Sequence, residues 1–162
     1  MAKEDYDMFT LCNVSPLPDE PLGNLDYLDF MILNDIEAKA LLNLSEESDK
    51  PFEEIANELK KEYGCRGVII TCGEDGSAIL DNDVYFTVPA TKVTPAETIG
   101  AGDGYLAAFA AGIIEGKTIR GAAEFASKYA AFKVTRKGTM TKKPGMGYPM
   151  RDEVDKFIES HS

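Results

Sequence analysis

The run Gly100-Ala101-Gly102-Asp103-Gly104, followed by the apolar stretch Tyr105 to Ile114, constrains this chain more than any other segment. Glycines at 100 and 102 permit positive φ and keep side chains off the surface of the turn. The stretch behind them has helical spacing and is rich in small residues (Gly104, Ala107, Ala108, Ala110, Ala111, Gly112), which allow close packing on a sheet. A tight glycine turn opening straight into a buried helix presents unpaired backbone N–H groups at the positive end of the helix dipole, which suits it to an anion. Asp103 falls in the first helical turn, where two readings stand. Its carboxylate caps the helix, or it takes a proton from a hydroxyl poised to attack a phosphate. No Gly-Lys-Ser/Thr follows the glycines, so any phosphate chemistry here needs an arrangement other than a Walker loop.

Charge and composition exclude several classes of function. A formal net charge of −11 over 162 residues repels phosphate backbones and anionic lipid, so neither nucleic acid nor a membrane surface is an expected partner. Met1 to Asp7 is polar and charged, unlike a secretory signal, and the longest apolar run, Gly104 to Ile114, is too short to span a bilayer. A cytoplasmic location is expected. Cys12, Cys65 and Cys72 are odd in number and lack metal-ligand spacing. Cys12 and Cys72 lie in apolar strand-like runs and read as buried, reduced thiols. The single histidine, His161, is one residue from the C-terminus, which argues against a histidine triad or a histidine metal site.

The length fits a single α/β domain over residues 1–162. Met8 to Cys12 and Asp29 to Leu33 read as strands, with a proline-containing loop between them. Asp35 to Leu42 has helical spacing, with Ile36, Ala40 and Leu41 or Leu42 inward. Pro51 to Tyr63 is an amphipathic helix with Phe52, Ile55, Ala56 and Leu59 on one face, acids early and lysines late, and Gly64 as its stop. Gly67 to Cys72 is a β-branched strand. Gly73 to Gly76 is a turn, and Ser77 to Leu80, Val84 to Val88 and Thr91 to Val93 continue a meander. Thr118 caps a helix from Ile119 to about Val134, and Met150 to Ser160 forms a last short helix. Lys133 to Lys143 is a basic loop, read either as a solvated surface or as a flank to a nucleotide.

Asn34 and Glu37 sit at a strand-to-helix junction. They complete something close to a capping box, or their oxygens face a site at the strand's carboxyl end and orient waters around a magnesium ion. Asn34–Glu37, Thr71–Gly76 and Gly100–Asp103 all follow strands. In an open α/β sheet the carboxyl ends of the strands gather at one crevice, which points to a shared site.

The run Thr98 to Gly112, with Asn34-x-x-Glu37 upstream and Val68-Ile69-Ile70-Thr71-Cys72-Gly73 between, resembles the ribokinase-like (PfkB) carbohydrate kinases. The segment Ala126 to Gly138 is similar to the family's last nucleotide-flanking helix and loop. The resemblance covers roughly residues 8 to 160. It implies a mostly parallel sheet flanked by helices, with an antiparallel hairpin or meander, corresponding to the C-terminal, ATP-binding half of such a kinase. The N-terminal half, with its acceptor site and lid, finds no counterpart here. The implied activity is ATP-dependent phosphoryl transfer to an alcohol of a sugar or similar small molecule. On the resemblance, Asp103 is the base, and the amides of Gly100, Ala101 and Gly102 form the anion hole. Thr71 and Gly73 line the triphosphate and ribose, and Ser127 stands where the family often has a nucleotide-contacting Asn. Asn34 and Glu37 place Mg2+ through water. Glu97 stands where the family pattern has an Asp tied to a monovalent cation such as K+, and its extra methylene shifts or abolishes that cation site. The alternative is a nucleotide-binding module, or a kinase fragment, without an acceptor site. An open sheet edge left by a missing half implies a second copy of the chain or a partner chain to cover it.

Overall fold

The computed structural model describes residues 8–139 and 145–161, which form two compact units. The first takes in the described residues up to Cys72 together with Ser77–Thr87. The second takes in Gly73–Gly76 and the described residues from Val88 onward.

The first unit is built on a sheet of β1 (Leu11–Asn13), β2 (Phe30–Asn34), β3 (Gly67–Thr71), β4 (Ser77–Asp81) and β5 (Val84–Val88), side by side in that order. β1 and β2 run parallel, as do β2 and β3, whereas β4 returns antiparallel to β3. The parallel step from β2 to β3 is made through α1 (Asp35–Leu41) and α2 (Phe52–Tyr63). Alternate strand residues Met31, Leu33, Val68, Ile70, Ala78 and Leu80 pack with Ile55, Ala56, Leu59 and Tyr63 of α2 into one core. The intervening Phe30, Ile32, Ile69 and Ile79 are buried as well, which is why these strands read as unbroken apolar runs. The result is the mixed α/β sheet the sequence predicts.

Three details differ. In α1 the inward residue is Ala38, with Leu41 and Leu42 packed beside it, while Ile36 and Ala40 are exposed. Spacings of three and four from Ala38 define the core stripe, and a helix of seven residues offers too few turns to fix that phase from sequence. Thr91 to Val93 lies between Pro89 and Pro95 and is irregular rather than a strand. Of the cysteines, Cys65 is the buried one and its thiol pKa is pushed up by that burial, while Cys12 and Cys72 are half-buried.

The second unit contains a short turn at Gly73–Asp75 and the helices α3 (Ala101–Ile114), α4 (Ile119–Val134) and α5 (Arg151–Ser160). Thr118 caps α4, its hydroxyl accepting from the Gly121 N–H at 3.1 Å. α3 and α4 pack as an antiparallel pair. A Cβ added at Gly112 would lie 2.9 Å from the Ala122 Cβ, so the small residue there serves contact with the next helix. Phe132 stacks on Phe157 at 4.6 Å between α4 and α5. The Arg136 guanidinium pairs with Glu153 at 2.9 Å and donates to the Met146 carbonyl at 2.9 Å. Lys133 and Arg136 are therefore buried, against the reading of this stretch as a solvated basic loop. Its residues 140–144 lie outside the described residues. No helix among the described residues is long and apolar enough to cross a membrane.

Candidate active site

Each unit carries one group of the expected site residues. In the first, the register of β2 and β3 sets Asn34 beside Thr71 at the carboxyl ends of two parallel strands. The Thr71 hydroxyl faces the Leu33 carbonyl at 3.5 Å. Asn34 caps α1: its Oδ1 accepts from the Glu37 N–H at 2.8 Å, and Glu37 Oε2 accepts from the Asn34 N–H at 2.8 Å. The capping reading of this pair is therefore realised. One carboxylate oxygen of Glu37, Oε1, stays outside the box. Among the described residues no group of three or more His, Cys, Asp or Glu is placed to hold a metal. A Mg2+ ion, which keeps much of its water shell and takes oxygens from phosphates, fits such a sparse donor set better than an ion needing a full protein cage.

In the second unit the glycine turn and its surroundings come together. Gly100 is the N-cap of α3, with φ 80° and ψ 8°, a left-handed conformation that a side chain would strain. Being glycine, the N-cap has no side chain with which to cap this helix, and none of the described side chains does so. The Ala101 N–H donates to the Thr98 carbonyl at 3.1 Å, and the Gly104 N–H to the Gly100 carbonyl at 3.0 Å. The N–H groups of Gly102 and Asp103 lie in the first turn, where a helix has no acceptor of its own to offer them. The two glycines differ in what they face. A Cβ at Gly100 would lie 2.6 Å from the Tyr148 hydroxyl and 2.9 Å from Thr139 Cγ2, whereas a Cβ at Gly102 would meet nothing within 4 Å. Space thus opens over Gly102.

Asp103 is exposed, and its Oδ2 lies 3.4 Å from the Tyr148 hydroxyl. Burial pushes the Tyr148 phenol pKa up, and the Asp103 charge pushes it further. The phenol therefore keeps its proton and stays a donor towards the carboxylate. Beneath the turn, Glu97 Oε2 accepts from the Gly138 N–H at 3.0 Å, while the Ala96 and Glu97 amides donate to the Val134 carbonyl at 2.7 and 3.0 Å. The Lys133 ammonium donates to the Ile99 carbonyl at 2.9 Å. Gly73 has φ 55° and open space above its Cα, so the turn at the end of β3 also leaves backbone accessible. Ser127 is buried and its hydroxyl donates to the Pro89 carbonyl at 3.0 Å, tying α4 to the segment after β5.

Tyr148 and Lys133 are the functional candidates that the sequence reading missed. Lys133 had a usable signal, because it lies seven residues after Ala126 on the apolar stripe of α4. Tyr148 had none: it reaches Asp103 from forty-five residues along the chain. A shallow hollow bordered by Lys117, Thr118, Glu124 and Phe125 lies by the opposite end of α3 from the glycine turn.

This arrangement, a mixed sheet with a helix started by an open glycine turn and an acid in its first turn, is that of the ribokinase fold. A ribokinase structure from Thermotoga maritima superposes with a TM-score of 0.79 at 26% identity, covering 98% of this chain and 51% of that one. The Arabidopsis thaliana ribokinase complexed with ribose and ATP gives a TM-score of 0.80 at 26% identity, covering 94% of this chain and 48% of that one. A Dictyostelium discoideum ribokinase is 30% identical over 171 residues, an alignment that takes in 96% of this chain and 52% of the relative. Residues 1–145 match the pfkB family carbohydrate kinase model, and the chain belongs to that family. It spans about half the length of the relatives it matches.

Proposed function

We propose that this chain carries the nucleotide-handling half of an ATP-dependent kinase that phosphorylates an alcohol of a sugar or similar small molecule. One observation carries the reading. α3 begins at a left-handed glycine without a side-chain cap, faces open space over Gly102, and holds Asp103 exposed in its first turn. A phosphoryl group in transfer spreads negative charge over its equatorial oxygens, and fixed N–H donors at a helix start stabilise that charge without reorganising. Of the Gly100, Ala101 and Gly102 amides assigned to that group, Gly102 is the most open, and the Ala101 N–H has to leave the Thr98 carbonyl to reach it. Asp103 takes the proton of the attacking hydroxyl, and the Tyr148 phenol holds its carboxylate in place.

The remaining assignments follow the family. ATP is the phosphoryl donor, in keeping with the complex of the Arabidopsis relative. Thr71 and Gly73 line the triphosphate and ribose, and Ser127 lies on the nucleotide side. Mg2+, when bound, neutralises the phosphate charge; Asn34 and Glu37 orient its waters while they cap α1. β1, three residues long, sits at the edge of its sheet, and we assign a second copy or a partner chain to that edge. Sedimentation giving a clean monomer at micromolar concentration would remove that last assignment.

The test is Asp103→Asn. A positioned general base contributes about 10²–10⁴-fold, so turnover across a sugar and nucleoside panel should fall by about that factor while Mg-ATP affinity stays within about twofold. An unchanged rate removes Asp103 as the base. A second reading is a nucleotide-binding module without an acceptor site. Stabilisation by nucleotide with no phosphorylated product in that panel would select it.

A further inference from the structure

Lys133 takes no part in the reading above, yet its placement is unusual. The side chain is fully buried, its ammonium donates to the Ile99 carbonyl at 2.9 Å, and it lies 5.6 Å from the centre of the Tyr148 ring. Lysines are almost never fully buried without a compensating partner, because removing an ammonium from water is costly. Here the contacts are a backbone carbonyl and an aromatic face, so the charge is directed at the turn itself.

The Ile99 carbonyl and the Gly100 N–H are two ends of one peptide group. An ammonium on the oxygen fixes the plane of that peptide and draws electron density from its nitrogen, which makes the N–H a stronger donor. That N–H is among the three assigned to the transferred phosphoryl group. The same turn is where the family resemblance places a monovalent cation, at position 97. The residues present do not suit one. The Glu97 carboxylate already accepts from the Gly138 N–H, and the Ile99 carbonyl already accepts from Lys133.

We propose that Lys133 is a positioning residue whose buried ammonium stands in for a monovalent cation, holding and polarising the Ile99–Gly100 peptide of the anion hole. The proposal rests on the reading of this helix start as a phosphoryl site. It makes nucleotide binding independent of potassium.

The test uses the 162-residue chain in potassium chloride and in tetramethylammonium chloride at equal ionic strength. Thermal unfolding is followed with and without Mg-ATP, and Mg-ATP affinity is measured by calorimetry. The wild type should give the same midpoint in both salts and affinities within about twofold. Lys133→Ala should bind Mg-ATP about tenfold more weakly in tetramethylammonium, with about threefold or more recovered by potassium or methylammonium, a rescue that lost packing alone would not give. Lys133→Ala with wild-type affinity overturns the proposal. So does a potassium-specific rise of about fivefold in wild-type affinity, a comparison that needs no variant and decides the matter if Lys133→Ala does not fold. Wild type that binds Mg-ATP in neither salt overturns the phosphoryl reading and this proposal together, whereas potassium-stimulated binding overturns this proposal alone.

Discussion

The helix starts at Asn34 and at Gly100 both drew notice in the sequence as ligand sites. They are built in opposite ways. At Asn34 the side chains close the start on itself: two reciprocal bonds of 2.8 Å satisfy the Asn34 and Glu37 amides. At Gly100 a left-handed glycine begins the helix, no side chain caps it, and the space over Gly102 is open. α5 repeats half of the first pattern, with Glu153 Oε2 accepting from the Met150 N–H at 2.8 Å. A helix start that supplies its own acceptors gains stability and loses affinity for anions. One whose cap has no side chain leaves more of its donors for a ligand, here those beyond the Ala101 N–H.

The contrast can be broken by exchanging the two kinds of cost. Gly100→Ala forces a side chain into a left-handed conformation and against the Tyr148 hydroxyl, 2.6 Å from the new Cβ. It should lower stability by about 2 kcal/mol in denaturant unfolding, and a loss near zero would mean that the turn relaxes freely. Asn34→Ala removes a cap and should cost about 1 kcal/mol. Its effect on Mg-ATP affinity should be smaller, about threefold, through the waters assigned to Asn34 and Glu37. An affinity equal to wild type would leave Asn34 a cap and nothing more.

The smallest effect is pH dependence at the closed start of α5. The Met150 N–H and the Arg136 guanidinium hold the Glu153 carboxyl below the usual carboxylate range. A carboxyl lowered in the folded state contributes stability above its unfolded value, and that contribution is lost as pH falls through the lowered one. Between about pH 5 and pH 3 the wild type should therefore lose more stability than Glu153→Gln does. Equal slopes would mean that this cap is not felt.

Much of this was legible in the sequence. β3 announced itself by the β-branched Val68-Ile69-Ile70, α2 by its stripe of Ile55, Ala56 and Leu59, and α4 by the Thr118 cap. The glycine turn was legible because few residue types tolerate φ near 80°. What was not legible depends on tertiary placement. Ile36 looked like core, but the phase of a two-turn helix is set by its cap and neighbours. Lys133 was taken with the basic residues after it, although helical spacing put it on the buried side. Tyr148, in a Gly- and Pro-containing loop, becomes meaningful only when the fold sets its hydroxyl over Gly100 and near Asp103.

The central claim is that the open start of α3 receives a phosphoryl group, and it is tested most directly by titrating Mg-ATP into the wild-type chain and into Gly102→Leu in a calorimeter. A Cβ there meets nothing within 4 Å, so a leucine takes up the open space, and the unfolding midpoint should not fall while affinity drops about tenfold or more. Equal affinities in the two chains, or no binding by the wild type at millimolar nucleotide, would contradict it.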